Sequence, residues 1–213
     1  AEAKLAEARG AAKLELDLAA SEAKAGLDKD VPADKAVMDA VDTAEDTART
    51  AVDAATTAEE IKKALQDGLT AIAEASVPAT DEPIAPTPDV TGTEATVTPT
   101  PEQIQGAING SEDASITITV DTEESIDSAK VSLEKGSVDK LIAEEIDTKV
   151  ETPVGNVTVP AEALEQAIEG QENVASVEVV IAEAETQANE DAEGNTVDLD
   201  GAVVVDVKIV VTD

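Results

Sequence analysis

The chain has 213 residues, 42% of them apolar, and its 48 acidic and 14 basic side chains give a net charge of −34. This length and apolar content suffice for one large or two small folded domains, whose core has to be aliphatic because Phe, Tyr and Trp are absent. The absence of Cys and His excludes disulfides, thiol nucleophiles, Cys/His zinc sites and imidazole bases, and the charge repels nucleic acid and anionic lipid.

Three helical patterns fill residues 1–76 and predict a three-helix up-down bundle. In each pattern apolar residues recur every three or four positions, which places them on one face of a helix. Short connections make neighbouring helices antiparallel. Thr57 followed by Glu60 predicts a capping box at the start of the third helix. The stripes are Leu5, Ala8, Ala12, Leu16, Ala19, Ala23 and Leu27; then Val37, Val41, Ala44, Ala48, Val52 and Ala55; then Ile61, Leu65, Leu69 and Ile72.

The end of this region carries a recognisable motif. Residues 51–72, AVDAATTAEEIKKALQDGLTAI, contain an AxTxxE…G…I pattern. The pattern resembles the helical repeats of large Gram-positive surface adhesins and is matched by Ala55, Thr57, Glu60, Gly68 and Ile72. The resemblance implies a spacer or adhesive role at a cell surface.

A Pro-rich segment follows the helices. Six of the nine prolines lie between Pro78 and Pro101, among Thr, Asp and Glu. Such segments favour an extended, polyproline-like backbone. We therefore expect a semi-rigid linker over residues 77–93, which divides the chain into a domain at 1–76 and a domain at 94–213.

Beyond the linker, apolar residues alternate with polar ones. This period of two residues is typical of strands that are buried on one face. The sets are Ile116, Ile118 and Val120; Val177, Val179 and Ile181; and Val203, Val205, Val207, Ile209 and Val211. The last set forms the longest predicted strand, which we expect at the centre of the sheet. Val204 and Val210 make its other face apolar too, and this pattern also fits an edge strand offered to another chain.

One strand-to-helix pattern occurs three times in the second domain. VTVPAEALEQAI at 157–168 is repeated as VTPTPEQIQGAI at 97–108 and as VSLEKGSVDKLI at 131–142. The first unit leaves room for a parallel crossover from a strand at 94–98 to one at 115–120. A tight turn is predicted between strands 146–152 and 156–159. The expected fold is α+β: the helical bundle linked to a βα-repeat domain with a mixed β-sheet covered by short helices.

The second domain also carries a family resemblance. VETPVGNVTVPAEAL at 150–164 and NTVDLDGAVVVDVKIVV at 195–211 resemble a module found beside cell-wall anchoring domains in S-layer-associated and other secreted Gram-positive proteins. Leu199 stands where that module has an aromatic residue, and Ala202 where it has Pro. The resemblance implies an extracellular structural module with no known chemistry. Its VETPxGxVTLPxxAL core is matched by Val150, Thr152, Pro153, Gly155, Val157, Pro160 and Leu164.

Candidate ligands are oxygen-rich but weakly patterned. A loose calcium loop is formed by Asn189, Asp191, Glu193, Gly194 and Asp200. A solvated hairpin turn, AEGN, is the preferred interpretation, and Val197 is a poor ligand at position nine, so calcium is the less favoured alternative.

Carboxylate pairs occur at Glu123–Glu124 and Glu144–Glu145, the residue type of a glycosidase. The chain has no aromatic platform for a sugar, so we predict no enzymatic activity and no catalytic, cofactor-binding or metal-binding residues.

Asn156-Val157-Thr158 matches an N-glycosylation sequon, for which an ordinary turn is the preferred interpretation.

These observations predict a non-enzymatic extracellular structural or spacer module of a bacterial cell-surface protein. Two alternatives stay open: a subunit of a surface filament or layer assembled by β-strand exchange, and an adhesin-type module for a host or cell-wall ligand. Expected partners are other surface-protein modules or further copies of the chain. Membrane insertion is not expected, since no apolar run approaches the roughly 20 residues that span a bilayer. Arg9 and Arg49 are the only residues of the hot-spot types Trp, Tyr and Arg, which disfavours the adhesin.

Overall fold

The computed structural model describes residues 2–171, 173–183 and 205–212, and it divides into two compact units, Ala1–Ala79 and Thr80–Asp213. Each unit has its own aliphatic core. The predicted α+β class is confirmed: the described residues form six helices and two mixed sheets.

The first unit consists of three helices. Helix α1 spans Glu2–Ala23, α2 spans Pro32–Ala54 and α3 spans Ala58–Ala75. The predicted capping box is present at the start of α3, where Glu60 N donates to Thr57 Oγ1 at 3.1 Å. In return, Thr57 N donates to the Glu60 carboxylate at 3.1 Å. Both otherwise unpaired amides of the first turn are thereby satisfied.

The predicted apolar stripes form the core of this bundle. Leu16 of α1, Val41 and Val52 of α2 and Ile72 of α3 are almost completely buried. Gly68 of α3 is also buried, a position that the apolar period did not identify. A Cβ built at this glycine would overlap the Cβ of Ala48 in α2, so its absence allows the two helices to approach closely. The remaining buried residues of the bundle are Ala12, Ala20, Val37, Ala48, Ala55 and Ile61.

The capping box makes the stability of α3 depend on pH. Hydrogen bonds donated by Thr56, first from its backbone N–H, and by the N–H of Thr57 lower the pKa of Glu60 below its ordinary value of 4.5. Because the folded-state pKa is depressed, this stabilisation is complete above about pH 4.5 and is lost as the pH falls through the folded-state value.

We therefore predict that the Glu60→Gln variant loses less stability between pH 7 and pH 3 than the wild type. Gln keeps a side-chain oxygen for the capping box but has no proton to gain. The measurement is urea unfolding at several pH values, followed by circular dichroism at 222 nm. Glu59→Gln removes the same charge outside the capping box and is the control; an equal change in both variants would contradict the prediction.

The second unit contains eight strands and three helices among its described residues. The helices are α4 Pro101–Gly110, α5 Lys135–Ala143 and α6 Ala161–Ile168. The strands are β1 Asp89–Thr91, β2 Glu94–Val97, β3 Ser115–Thr119, β4 Ser128–Glu134, β5 Asp147–Glu151, β6 Asn156–Val159, β7 Ser176–Glu183 and β8 Val205–Thr212.

These strands form two sheets, where the sequence analysis expected one. The five-stranded sheet has the order β1-β2-β4-β7-β8 and the three-stranded sheet the order β3-β5-β6. The pairs β2–β4 and β3–β5 are parallel, and the other neighbours are antiparallel. The expected parallel crossover from β2 through α4 to β3 is wrong, because these strands lie in different sheets. The predicted hairpin between β5 and β6 is confirmed.

The three repeated stretches are strand-to-helix units, as predicted, and each helix leads into the other sheet. The units β2–α4 and β4–α5 start in the five-stranded sheet and continue into β3 and β5, whereas β6–α6 runs from the three-stranded sheet to β7. Val97 and Val131, which occupy the same position in their repeats, are direct partners in the β2–β4 ladder. The first two units therefore lie side by side.

The predicted linker over residues 77–93 is wrong for residues 80–93, which belong to the second unit. Ile84 is buried, and its N–H donates to Thr117 O of β3 at 2.8 Å. Residues 89–91 form β1. Prolines are tolerated here because this segment lies at sheet edges, where not every N–H has to enter a ladder.

One buried hydroxyl of the second core lacks a hydrogen-bond partner among the described residues. Thr148 lies in β5 between Ile116 of β3 and Val159 of β6, and it is fully buried. Its Oγ1 makes no hydrogen bond. A buried hydroxyl without a partner costs about 1–3 kcal/mol, because it has left water for an apolar surrounding.

We predict that Thr148→Val raises the free energy of unfolding by about 1 kcal/mol, since Val keeps the shape of Thr and removes the unpaired hydroxyl. The control is Thr152→Val in the β5–β6 turn. There Thr152 Oγ1 donates to Gly155 O at 2.7 Å and accepts from Gly155 N at 3.0 Å, so its loss should lower stability by about 1 kcal/mol. Urea unfolding measures both changes, and a destabilised Thr148→Val would refute the prediction.

Candidate functional site

The outer edge of β8 is the most exposed apolar feature of the second unit. β8 lies at the end of the five-stranded sheet and pairs with β7 on one side. No described strand pairs with its other side. Val207 and Val210 are 41% and 42% exposed, although both belong to a strand of eight residues. The expectation that this strand is central is wrong among the described strands: β8 lies at the end of the sheet, in agreement with the alternative interpretation as an edge strand.

The two faces of β8 differ. Ile209 and Val211 lie on the face that packs against the hydrophobic core, beside Val179 and Val177 of β7. Asp206 and Lys208 are exposed on the opposite face, because successive side chains of a strand point to opposite sides of the sheet. The edge therefore offers backbone donors and acceptors, an apolar centre and two opposite charges.

The other edge of the same sheet is β1, which is poorly suited to strand pairing. It has three residues, Asp89–Thr91, and Pro88 precedes it. Gly92 then turns the chain with a φ of 65°. Short, charged strands bordered by proline are the usual protection of a sheet edge against further pairing. β8 is longer, with eight residues and no proline, and its charged residues are Asp206 and Lys208.

A polar cavity of about 280 Å³ lies at the end of α4. Its acidic groups come from two distant segments, and Lys149 of β5 is the basic residue of its lining. The C-terminal end of α4 adds partial negative charge. The cavity attracts cations, but its carboxylates do not converge on one point. The lining is Thr80, Asp81, Glu82, Pro83, Ala107, Gly110, Ser111, Glu112, Asp113, Ser115, Ile116, Thr117 and Lys149.

Sequence analysis did not identify this cavity. Its acidic doublets, Asp81-Glu82 and Glu112-Asp113, are about thirty positions apart and share no motif. They meet because the chain after Thr80 runs beside the end of α4, where Thr80 N donates to Gly106 O at 2.9 Å.

A shallow apolar groove of about 410 Å³ lies between α2 and α3. Small side chains form most of its lining, among them Ala44, Ala48, Ala51 and Ala64. The groove follows from the close approach of the two helices at Gly68. The packing of the bundle therefore accounts for this groove, which does not indicate a ligand.

Ionisable groups of the bundle form a ladder between α1 and the helix after it. Lys13 bonds Asp53 at 2.5 Å, Asp17 bonds Arg49, and Lys24 bonds Asp42. Lys13 and Asp17 lie in α1 and Lys24 directly follows it. As these residue numbers rise, those of their partners in α2 fall, as antiparallel helices require. The hydrogen bond to Asp42 raises the pKa of Lys24, and the hydrogen bond to Asp17 raises the pKa of Arg49.

The candidate residues singled out in the sequence lie partly inside and partly outside the described parts of the chain. The calcium-loop residues Asn189, Asp191, Glu193, Gly194 and Asp200 lie outside the described residues. Glu123–Glu124 and Glu144–Glu145 are exposed in connecting segments. Within residues 2–171, 173–183 and 205–212, no three acidic side chains are arranged to hold a metal ion.

The sequon at Asn156 lies in the hairpin that joins β5 to β6. Asn156 Oδ1 accepts a hydrogen bond from Thr152 N at 3.3 Å, which gives this side chain a role in the turn.

Among the described helices, none has the length together with the apolar composition that a membrane crossing requires.

Comparison of the chain with family models, with curated proteins and with solved structures found no match.

Proposed function

We propose that this chain is a non-enzymatic structural module, a spacer, of a bacterial cell-surface protein. The observation that carries the proposal is the placement of the charged side chains. In each unit they form ion pairs between neighbouring helices or strands. In the bundle, a ladder of ion pairs follows the seam between α1 and α2. Each of these exposed pairs contributes little energy.

The second unit uses charge in the same way. Lys130 of β4 lies between Glu94 of β2, at 3.3 Å, and Glu178 of β7, at 3.8 Å. This row crosses three neighbouring strands of the five-stranded sheet. Opposite charges on neighbouring strands stabilise their pairing.

An extracellular position is part of the proposal. It is supported by the sequence resemblances to adhesin repeats and to S-layer-associated modules, and by the lack of cysteine. A strongly acidic surface keeps such a module soluble and limits non-specific association.

A surface-display experiment tests the spacer. The full chain is placed between a cell-wall anchor and an epitope tag on a Gram-positive cell, and antibody binding to the tag is compared with a direct fusion. A spacer should increase the accessibility of the tag severalfold. Equal binding in both cells would contradict the proposal, and recovery of a stoichiometric ligand from cell-wall extract or serum would favour the adhesin.

A second candidate function is an assembly subunit that joins other copies by strand pairing. The observation that favours it is the exposed, eight-residue edge of β8. Strand addition at a sheet edge supplies backbone hydrogen bonds without aromatic anchors, which this chain lacks.

A further inference from the structure

We propose that two copies of this chain pair through the outer edges of their β8 strands, antiparallel and about a two-fold axis at Val207. The inference rests on the proposed structural function and names its partner, a second copy. No described strand pairs with the outer edge of β8, so the backbone groups of each edge can pair with those of the other.

The charges on β8 select the register. A two-fold axis perpendicular to the sheet keeps the helix-covered faces of both copies on the same side. When the axis passes through Val207, Asp206 of each strand lies opposite Lys208 of the other, which gives two ion pairs. Centring the pair on Asp206 would oppose two aspartates, and centring it on Lys208 would oppose two lysines. Val207 is the centre that places opposite charges together.

Apolar contact adds to this pairing. Val207 is 41% exposed at the edge and would meet its own copy at the axis. Directly opposite residues in an antiparallel pair have Cα atoms about 4.5–5.5 Å apart, so the two valines would cover each other. The pairing would remove exposed apolar surface from water on both copies.

The geometry gives a closed dimer. A two-fold pair uses the same edge on both copies, so neither β8 remains free to recruit a third copy. Growth into a filament would require a different second edge, and β1 is short and preceded by Pro88. The net charge of −34 on each chain opposes association, so the dimer should strengthen as salt screens this repulsion.

Cysteine cross-linking provides a direct test, since the natural chain has no cysteine. In the Val207→Cys variant the two sulfurs would lie within disulfide reach across the axis. Val210→Cys is the matched control, because Val210 is equally exposed at 42%. In the same dimer, however, the two copies of position 210 would lie about 20 Å apart. Mild oxidation of the full chain is followed on non-reducing gels.

We expect Val207→Cys to form a disulfide-linked dimer and Val210→Cys to remain largely monomeric. Comparable cross-linking of both variants would indicate random collision and overturn the register. No cross-linking of Val207→Cys would overturn the pairing.

Charge reversal tests the register without cysteine. Light scattering with refractive-index detection should show the wild-type mass rising with concentration from 21.7 kDa to twice that value. Lys208→Asp should weaken association about tenfold or more, and the double variant Asp206→Lys/Lys208→Asp should restore it. Lys62→Asp makes the same change in net charge at an exposed position of α3, in the first unit, and should have little effect.

The outcomes are separable from those of the spacer test. A constant mass of 21.7 kDa, or a mass that grows beyond twice this value, overturns the dimer and leaves the spacer standing. Insensitivity to Lys208→Asp overturns the register. A failed display test with a cross-linked Val207→Cys removes the spacer and leaves the dimer.

Discussion

Replacing Leu16 by Ala is expected to lower the free energy of unfolding by about 2–5 kcal/mol. Leu16 is fully buried in the bundle and lies where a side chain on Gly68 would meet it. Four of the buried residues of the same core are alanines, Ala12, Ala20, Ala48 and Ala55, whose side chains are too short to fill the space that the truncation leaves. The change is measured by urea unfolding with circular dichroism at 222 nm, since the chain has no aromatic fluorescence.

The same helix supplies the control for this prediction. Leu14 is 69% exposed and lies two positions from Leu16. Leu14→Ala removes the same atoms from the surface, where the effect should stay within about 0.5 kcal/mol. Similar losses in both variants would show that the face assigned to the core of the bundle is wrong.

Substitution of Gly68 by Ala is expected to destabilise the bundle by about 1–2 kcal/mol, despite the higher helix propensity of Ala. The added Cβ would overlap the Ala48 Cβ and lie 2.9 Å from Leu16 Cδ2. Overpacking of this kind costs about 1–3 kcal/mol and sometimes more, whereas the gain in propensity is about 1 kcal/mol. The helices would have to move apart.

Gly10 in α1 is the matched control, because nothing lies within 4 Å of a Cβ built there. Gly10→Ala should therefore stabilise the bundle by up to about 1 kcal/mol. Combining Gly68→Ala with Ala48→Gly should recover part of the lost stability, since the second change removes the overlapping methyl group. Stabilisation by Gly68→Ala alone would contradict the close approach of α2 and α3.

Local patterns predicted the local structure well. The stripe of α2 and the capping box of α3 were identified because a helix repeats every 3.6 residues and its first amides need partners. Ile116 and Ile118 alternate with threonines, and this period of two similarly placed both of them on the buried face of a strand. In these cases the determining contacts lie within a few positions of each other.

Candidate sites were predicted less well, because their parts are distant in the sequence. The polar cavity combines Asp81, Glu112 and Lys149, which no spacing rule links. The edge at β8 has the same valine pattern as a central strand, and only its neighbours decide between the two. Residues 80–93 have a linker composition, yet Ile84 is held by β3 through backbone hydrogen bonds that composition does not encode.

By itself, the sequence determined the helices, the alternating strands, the three strand-to-helix repeats and the aliphatic nature of both cores, since periodicity and residue type fix which face is buried. Only the tertiary structure decided that the strands before and after each repeat helix lie in different sheets. It also decided that β8 lies at an edge of the described sheet and that α2 and α3 approach closely at Gly68. The physical reason is that the buried face of a helix or strand follows from the spacing of apolar residues within that element. Strand pairing and close helix packing depend instead on which distant segment supplies the partner.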